Sequence, residues 1–350
     1  MRTSTFVGLA FAVTALSSGT AHAQQWETVV PGGDTVCSDG SPYRFFIHRG
    51  DPTRLLIEFE GGGACWSGST CEADVYNRRV ISDPGAALQA GQLQGIYDRT
   101  NPENPLKDYT HVYIPYCTAD LHWGNATTTY TSLTGAPFSI QHKGAVNVTT
   151  ALNWAGDNVP APSQVVVAGC SAGGYGAALW SAKIARAYPG ARMVEIADSA
   201  AGVVPEGFFA TTLSSWNVAD AWPSFIPSLA LDQVDPQGLT LPKLYTSVAT
   251  FFPTASFSQF NTRTDSVQIF FYALSKGSIT ASDAADWSSK MIGNVEQISV
   301  ENPNFRAYVA AGTEHCVINR PSFYTQTVGG RKFSQWVGTL LSGGDPGQVR

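Results

Sequence analysis

Six short runs of apolar residues constrain the fold of this chain more than any other feature of its sequence. Most of them are continuous rather than alternating, which indicates strands buried on both faces of a sheet. Helical stretches lie between several of them, at 143–154, 173–187 and 265–274, and strand–helix alternation favours parallel strands. The sequence therefore predicts an α/β fold with a mainly parallel sheet flanked by helices. The predicted strands are Tyr43–His48, Arg54–Phe59, His111–Tyr116, Gln164–Ala168, Met193–Ala197 and Phe305–Ala311.

Composition excludes several classes of protein. The chain has 350 residues, of which 43% are hydrophobic, so it can fill a large core and is not predicted to be disordered. Its net charge is −6 and it contains no run of Lys or Arg, which argues against a nucleic-acid partner. Only the N-terminus carries a long apolar run, so no membrane span is predicted in the rest of the chain.

The N-terminal run has the features of a signal peptide. Arg2 supplies the positive start, and Phe6–Leu16 is apolar. At about 11 residues this run is shorter than the roughly 20 that cross a bilayer. Ala21-His22-Ala23 then matches the small-x-small cleavage pattern. We expect cleavage after Ala23 and export of the remaining chain to the periplasm or the medium.

Export changes the interpretation of the cysteines. The chain has six, an even number, and in an oxidising compartment disulfides are their usual state. Cys65 and Cys71 are predicted to pair, because they would close a short loop beside a Gly-rich turn. Metal binding is not predicted, since there is no Cys-x-x-Cys and no helically spaced pair of histidines. Pairing is left open for four cysteines: Cys37, Cys117, Cys170 and Cys316.

One domain over residues 24–350 is the predicted organisation. No repeat, low-complexity linker or charge block marks a boundary inside it. The segment 203–260 differs from the rest in its many Phe, Pro and Trp residues and its weak periodicity. We interpret it as a possible cap or insertion beside a pocket. Trp216 and Trp222 within it could stack on a sugar, although a place in the core is the commoner role.

Positions 169–173 read Gly-Cys-Ser-Ala-Gly, a Gly-x-Ser-x-Gly pattern centred on Ser171. A predicted strand leads into the pattern and a predicted helix leads out, which is the context of a nucleophile elbow. The helix start also directs free N–H groups toward the serine. The alternative is an ordinary Gly-rich turn, but the Gly-x-Gly-x-x-Gly fingerprint of dinucleotide-binding folds is absent. Ser171 is the predicted nucleophile.

A serine nucleophile needs a base, and His315 is the best placed histidine. It follows the last predicted strand, where the chain order Ser, acid, His puts the base. The acid is less clearly marked. Asp198 ends a strand at the carboxyl edge of the sheet, where catalytic groups gather, whereas Asp265 could equally cap a helix. Position slightly favours Asp198, and both remain candidates.

An oxyanion hole needs main-chain N–H donors that face the nucleophile. One should come from Ala172, the residue after the serine. The other should come from a loop after an early strand. Positions 60–64, Glu-Gly-Gly-Gly-Ala, follow such a strand and match the Gly-rich loop of esterases, although a flexible turn is the alternative.

Five segments carry a further signal when they are taken together. They are Cys37-Ser-Asp-Gly-Ser-Pro42, Glu60-Gly-Gly-Gly-Ala-Cys-Trp66, Ile114-Pro-Tyr-Cys-Thr-Ala-Asp120, Gly169-Cys-Ser-Ala-Gly-Gly174 and His315-Cys316. In this order they resemble the pectin acetylesterase/Notum family of extracellular esterases, and Asp198-Ser199 also matches a family segment. The resemblance extends over nearly all of the mature chain.

The resemblance implies an α/β-hydrolase fold and a Ser–Asp–His triad that removes an acyl group from oxygen without a metal or organic cofactor. It implies that the acid opens a helix, in a segment similar to Thr264-Asp-Ser-Val-Gln268, which selects Asp265 and leaves Asp198 as a structural carboxylate. The implied oxyanion donors are Gly62, Gly63 and Ala172. Better-known members carry bulky aromatic residues where Gly63 and Ala64 stand, so a wider acyl pocket is expected here.

The leading functional hypothesis is a secreted serine carboxylesterase that deacetylates a carbohydrate such as pectin. A lipase-like or polyester-cleaving esterase is the second hypothesis, and a non-catalytic glycan-binding protein is the third. An intact Ser171, Asp265 and His315 argue against the third. Asp120, His122 and Trp123 follow a strand at its carboxyl end and are weaker candidates for lining the substrate site, with loop anchoring as the alternative.

Overall fold

The computed structural model describes residues 26–73, 75–80 and 83–350. The predicted signal peptide, residues 1–23, lies outside the described residues. The strands are β1 Glu27–Val29, β2 Phe45–His48, β3 Asp51–Phe59, β4 Tyr109–Ile114, β5 Ala126–Thr131, β6 Pro137–His142, β7 Gln164–Cys170, β8 Arg192–Asp198, β9 Phe257–Thr262, β10 Phe305–Ala310, β11 Thr327–Val328 and β12 Arg331–Lys332. The helices are α1 Gly68–Glu72, α2 Pro84–Gln89, α3 Gly144–Asn158, α4 Ala172–Ala187, α5 Phe208–Trp216, α6 Leu241–Phe251, α7 Ser266–Lys276, α8 Asp283–Glu301, α9 Ser322–Thr325 and α10 Phe333–Leu341.

Eight strands form one sheet in the order β1-β2-β4-β3-β7-β8-β9-β10. β1 and β2 pair antiparallel with each other, and β2 pairs antiparallel with β4, whereas every other neighbouring pair is parallel. The mainly parallel sheet is as predicted. Each of the six predicted strands is present, with bounds shifted by one to three residues.

The sheet divides the core into two layers. Successive side chains of a strand point to opposite faces. Accordingly Leu55 and Ile57 of β3 belong to one buried cluster, covered by α3, α4, α6 and α8, while Leu56 between them belongs to a second cluster, covered by α10. Continuous apolar runs in the sequence follow directly from this, because both faces of the central strands are buried.

The sequence did not predict β9. It reads Phe-Ser-Gln-Phe-Asn-Thr, and all six of its residues are buried. Its polar side chains have partners inside the protein: the Ser258 hydroxyl donates to the main-chain oxygen of Glu195, at 2.7 Å, and the Glu195 carboxylate accepts from the main-chain N–H of Ser258, at 3.0 Å. Polar residues that are satisfied internally give no apolar run to detect.

The chain between β8 and β9 crosses the carboxyl edge of the sheet and contributes α5 and α6. The predicted insertion 203–260 overlaps β9, so its last four residues belong to the central sheet instead. Trp216 and Trp222 are buried, and their indole N–H groups donate to the carbonyls of Cys65 and Leu229. Trp222 therefore belongs to the core, whereas Trp216 also contributes to a cavity wall described below.

Three disulfides cross-link the chain: Cys37–Cys117, the predicted pair Cys65–Cys71, and Cys170–Cys316. The outer edge of β10 is paired with the C-terminal residues. The carbonyl of Val349 accepts from the N–H of Val309, at 2.8 Å, and the N–H of Val349 donates to the carbonyl of Ala307, at 2.9 Å. Within the described part of the chain, no helix combines the length and apolar character needed to cross a membrane.

Candidate active site

Ser171 lies in the sharp turn between β7 and α4. Its φ of 57° and ψ of −124° are unusual for a residue with a side chain, and such strain persists only where the surroundings hold it. The main-chain N–H of Ser171 donates to the carbonyl of Asp198, at 2.8 Å. A Cβ on Gly173 would lie 1.9 Å from the carbonyl oxygen of Phe59, so only glycine permits α4 to start this close to β3. The turn thus raises the serine side chain above the sheet edge.

His315 lies in the loop after β10, and its ring contacts Asp265. Nδ1 lies 2.9 Å from Oδ1 and 2.8 Å from Oδ2 of the carboxylate. Because a carboxylate accepts, Nδ1 carries the proton in this pair and Nε2 is left as an acceptor. Nε2 is buried and has no hydrogen-bond partner, and His315 and Ser171 line the same cavities. The three predicted triad residues are therefore brought together.

Asp265 is the N-cap of α7, the helical role that the sequence offered as its alternative. Its Oδ1 accepts from the main-chain N–H groups of Val267 and Gln268, at 3.0 and 2.9 Å. Its Oδ2 accepts from the Gln268 side chain at 3.0 Å, and that side chain is itself held by the N–H of Ala201. Three N–H donors besides the histidine stabilise the charged carboxylate. Asp265 can therefore cap α7 and orient the histidine ring at the same time.

Asp198, the alternative acid, makes no hydrogen bond with the histidine ring. Its Oδ2 accepts from the main-chain N–H groups of Val317 and Ile318, at 2.6 and 2.9 Å, and its Oδ1 accepts from the Ser199 hydroxyl. Burial raises the pKa of this carboxyl to about 6, against the lowering effect of those hydrogen bonds. Asp198 thus fastens the segment that follows the histidine to the end of β8.

The Gly-rich loop after β3 lies beside Ser171. The carbonyl of Gly62 accepts from the N–H of Asn77, at 2.8 Å. Gly63 has a φ of 77°, and a Cβ there would lie 2.0 Å from the carbonyl oxygen of Val75, so the position requires glycine. Among the described residues, none accepts a hydrogen bond from the N–H of Gly62 or Gly63. Ala172 begins α4, where a main-chain N–H has no partner within the helix.

The structure corrects one set of predicted lining residues. Asp120, His122 and Trp123 are buried and lie outside the walls of both cavities at the serine. The Asp120 carboxylate accepts from the main-chain N–H groups of Gly144 and Gly124, and burial raises its pKa to about 7. His122 Nε2 donates to the carbonyl of Glu60, at 2.9 Å. These residues anchor the loop after β4 and support the Gly-rich loop from behind.

Two cavities of opposite character meet at Ser171 and His315. The first is apolar, with an empty volume of about 650 Å³. The second is polar and opens on the other side of the serine. Most of the residues that line these cavities were not predicted from the sequence. Trp66 offered a signal, because it lies two residues after the Gly-rich loop. The apolar walls include Trp66, Leu121, Val203, Phe208, Trp216 and Phe271.

Unpaired polar groups mark the second cavity. The Asn319 side-chain oxygen is buried and has no hydrogen-bond partner. The exposed guanidinium of Arg320, at the same wall, makes no ion pair or hydrogen bond with any described residue. Asn77 lies opposite, and burial raises the pKa of the Glu60 carboxyl nearby to about 7.

Two groups of side chains come close enough to share a metal ion. They are Cys65, Cys71 and His142, and Cys170, His315 and Cys316. In both groups the cysteines are joined in disulfides, so they offer no thiolate ligand.

Comparison with known proteins identifies the family of this chain. A family model described as pectinacetylesterase matches residues 25–263, more than half of the chain. A palmitoleoyl-protein carboxylesterase NOTUM from Schmidtea mediterranea is 30% identical over 117 residues, which are 31% of this chain and 22% of that protein. A palmitoleoyl-protein carboxylesterase notum2 from Xenopus laevis is 29% identical over 147 residues, which are 40% of this chain and 28% of that protein. The matched segments thus span less than a third of the length of either relative.

A solved structure supports the fold. The Wnt deacylase Notum from Drosophila superimposes with a TM-score of 0.64 and 16% sequence identity, covering 93% of this chain and 95% of that chain. The α/β-hydrolase fold expected from the sequence is thereby confirmed.

Proposed function

The chain belongs to the pectinacetylesterase family, and from that premise we propose that it is a serine carboxylesterase that removes an acyl group from a carbohydrate hydroxyl. The observation that carries the proposal is the contact of His315 with Asp265 beside the strained Ser171. A nucleophile, a base and a group that orients the base form the arrangement that serine esterases use for acyl transfer.

The reaction begins when the Ser171 hydroxyl attacks the ester carbonyl. His315 Nε2, the acceptor nitrogen of the ring, takes the hydroxyl proton, while Asp265 holds the other nitrogen and stabilises the resulting imidazolium. The same nitrogen then returns the proton to the departing alcohol. Water, deprotonated by His315 in turn, hydrolyses the acyl-enzyme and releases the acid.

The negative charge of the tetrahedral intermediate needs donors that are already in place. The N–H groups of Gly62, Gly63 and Ala172 fulfil this role, because no described residue competes for the two glycine donors. Loss of one such donor typically costs about 3 kcal/mol of transition-state stabilisation.

The polar cavity supports a carbohydrate as the alcohol half of the substrate. A sugar hydroxyl would satisfy the buried Asn319 oxygen, which has no hydrogen-bond partner among the described residues. Arg320, which pairs with none of those residues either, would favour an acidic sugar, such as those of pectin, over a neutral one. Three disulfides and the predicted signal peptide support an extracytoplasmic location.

Hydrolysis of p-nitrophenyl esters from acetyl to palmitoyl, with Ser171→Ala as the blank, tests the esterase proposal. Turnover that disappears in the blank is expected, and a fluorophosphonate should label Ser171. Equal rates for enzyme and blank at every chain length would reject the esterase and favour a glycan-binding protein.

Acetate release from acetylated pectin and from acetylated xylan tests whether the alcohol half of the substrate is an acidic sugar. Arg320→Gln should raise KM for pectin and leave KM for the neutral xylan unchanged. Arg44→Gln removes an exposed arginine that lines neither cavity and serves as the control. Equal effects of Arg320→Gln on both polymers would reject recognition of an acidic sugar.

A second candidate is an esterase for longer acyl groups, and the apolar cavity favours it. The rings of Trp66 and Phe208 pack edge-on, with their centroids 5.1 Å apart, and form an aromatic wall beside the serine. If the acyl chain occupies this cavity, Val203→Trp should lower the ratio of octanoyl to acetyl turnover by about tenfold. Val300→Trp, on an exposed surface, is the control. An unchanged ratio would exclude the cavity as the acyl site.

A further inference from the structure

One of the three disulfides joins the residues next to the proposed nucleophile and base. Cys170 is the last residue of β7 and directly precedes Ser171, whereas Cys316 directly follows His315. The two cysteines are 146 positions apart in the chain, and their Cα atoms are 5.7 Å apart. The other two disulfides include no residue adjacent to the triad.

Hydrogen bonds also hold the His315 loop in place. Cys316 has a φ of 65°, a conformation that costs free energy for a residue with a side chain. Its main-chain N–H donates to the Ser199 hydroxyl, and the next two N–H groups donate to Asp198. On the other side, the carbonyl of Glu314 accepts from Thr262. These hydrogen bonds fix the segment on either side and reach the serine turn only indirectly, through Asp198, whose main-chain carbonyl accepts from the N–H of Ser171. The disulfide joins the two segments directly.

Resting on the function proposed above, we propose that the Cys170–Cys316 disulfide is a positioning element of the active site, which sets the distance and orientation of His315 relative to Ser171. The sulfur atoms take no part in proton transfer. The bond connects the two backbones at positions adjacent to the reacting side chains, so its loss frees the base to move away from the nucleophile. A displacement of about 1 Å between catalytic groups can cost about 100-fold in rate.

The position of the disulfide also makes it accessible. Cys170 and Cys316 line the polar cavity, with 8% and 3% of their surface exposed, while the other four cysteines are fully buried. A water-soluble phosphine should therefore reduce this bond first. The reaction consumes one phosphine and one water and yields two thiols and the phosphine oxide, so electrons and oxygen balance.

The first experiment compares two double variants of the full chain. Cys170→Ala/Cys316→Ala should lower kcat for p-nitrophenyl acetate by about 100-fold with little change in KM, and should slow fluorophosphonate labelling of Ser171 by a similar factor. Cys37→Ala/Cys117→Ala removes a disulfide remote from the triad and should keep kcat within about threefold, even if its Tm falls. A folded Cys170→Ala/Cys316→Ala variant with wild-type kcat would overturn the proposal.

The second experiment uses the wild-type enzyme and does not depend on how the variants fold. Phosphine is titrated under native conditions, opened cysteines are alkylated and identified by mass spectrometry, and near-UV circular dichroism reports the fold. Activity should fall in proportion to the opened Cys170–Cys316 fraction while the spectrum is unchanged, and reoxidation of unalkylated samples should restore it. Full activity with this bond open would overturn the proposal. An inactive wild type would instead reject the esterase function itself.

Discussion

Among the described residues, two buried pairs join a histidine to a carboxyl group, and the proposed function assigns proton transfer to only one of them. Asp265 and His315 pair at the carboxyl edge of the sheet, at 2.8 Å. Glu58 of β3 and His111 of β4 pair inside the sheet, at 2.6 Å. The residue chemistry is almost the same in the two regions, so their surroundings must decide what each pair does.

The Glu58–His111 pair is enclosed on all sides. Both side chains are at most 4% exposed, and the rings of Trp26 and Tyr97 lie 5.0 and 5.4 Å from the imidazole. Burial raises the pKa of Glu58 to about 8, although a hydrogen bond with Tyr97 opposes the shift, and burial lowers the pKa of His111 well below its usual value. Burial therefore favours the uncharged form of both groups.

The Asp265–His315 pair differs in two respects. Asp265 is as buried as Glu58, yet three N–H groups from α7 and Gln268 point at its oxygens and stabilise the charge. His315 is 15% exposed, and its second nitrogen, beside the two cavities, has no hydrogen-bond partner among the described residues. The comparison teaches that a helix N-terminus and an open cavity distinguish the proposed catalytic pair from the enclosed one.

The largest difference between the pairs should appear when each histidine is replaced. His315→Gln should lower kcat for p-nitrophenyl acetate by at least about 10⁴-fold, because the nucleophile loses its base. His111→Gln, measured on protein shown to be folded, should stay within about tenfold of wild type. Comparable losses in the two variants would remove the functional distinction drawn here.

Replacing each carboxyl group sharpens the comparison. Asp265→Asn should cost about 10⁴-fold in kcat, since an amide cannot stabilise the imidazolium and favours the wrong tautomer. Glu58→Gln preserves the size of an uncharged side chain and should change kcat by less than about threefold. Steady-state kinetics at pH 8 measures both, and a large loss in Glu58→Gln would contradict the structural role.

Asp198 provides an intermediate case. Asp198→Asn weakens the anchor of Val317 and Ile318 without removing a group that contacts the ring, so we expect a loss of about tenfold in kcat. If Asp198→Asn cost more than Asp265→Asn in the same assay, Asp198 would be the acid after all.

The smallest expected effect concerns stability. The pKa of Glu58 is higher in the folded chain than its unfolded value of about 4.3, so folding takes up a proton between these two values. The contribution of Glu58 to stability should therefore fall as pH rises from about 5 to 8, by at most about 1.4 kcal/mol per unit; below about pH 6.5 the lowered pKa of His111 acts in the opposite direction. Urea unfolding at pH 6 and pH 8 should give a smaller difference for Glu58→Gln than for wild type. An identical difference would show that Glu58 is charged when folded.

Sequence patterns predicted the parts of this molecule that depend on local residue order. Buried central strands appear as apolar runs, and the strand–turn–helix around Ser171 has a recognisable pattern. The base was predictable because chain order places it after the last strand. Patterns failed for β9, whose buried polar residues are satisfied only by distant partners such as Glu195.

The acid and the cavity walls could not be predicted from local order. Asp198 and Asp265 both occupy positions suited to a catalytic acid, and only the three-dimensional path of the loop after β10 decides which one the ring meets. The walls combine residues far apart in the chain, such as Trp66, Phe208 and Phe271. The position after a strand suggested a lining role for Asp120, His122 and Trp123, but hydrogen bonds turn these side chains inward.

The C-terminal residues that pair with β10 have a practical consequence for handling the protein. An unpaired parallel edge presents a row of free N–H and C=O groups to which a strand of another molecule can add. Val349 occupies that row by bonding to Ala307 and Val309. Removal of the residues around Val349 would uncover the edge and promote self-association.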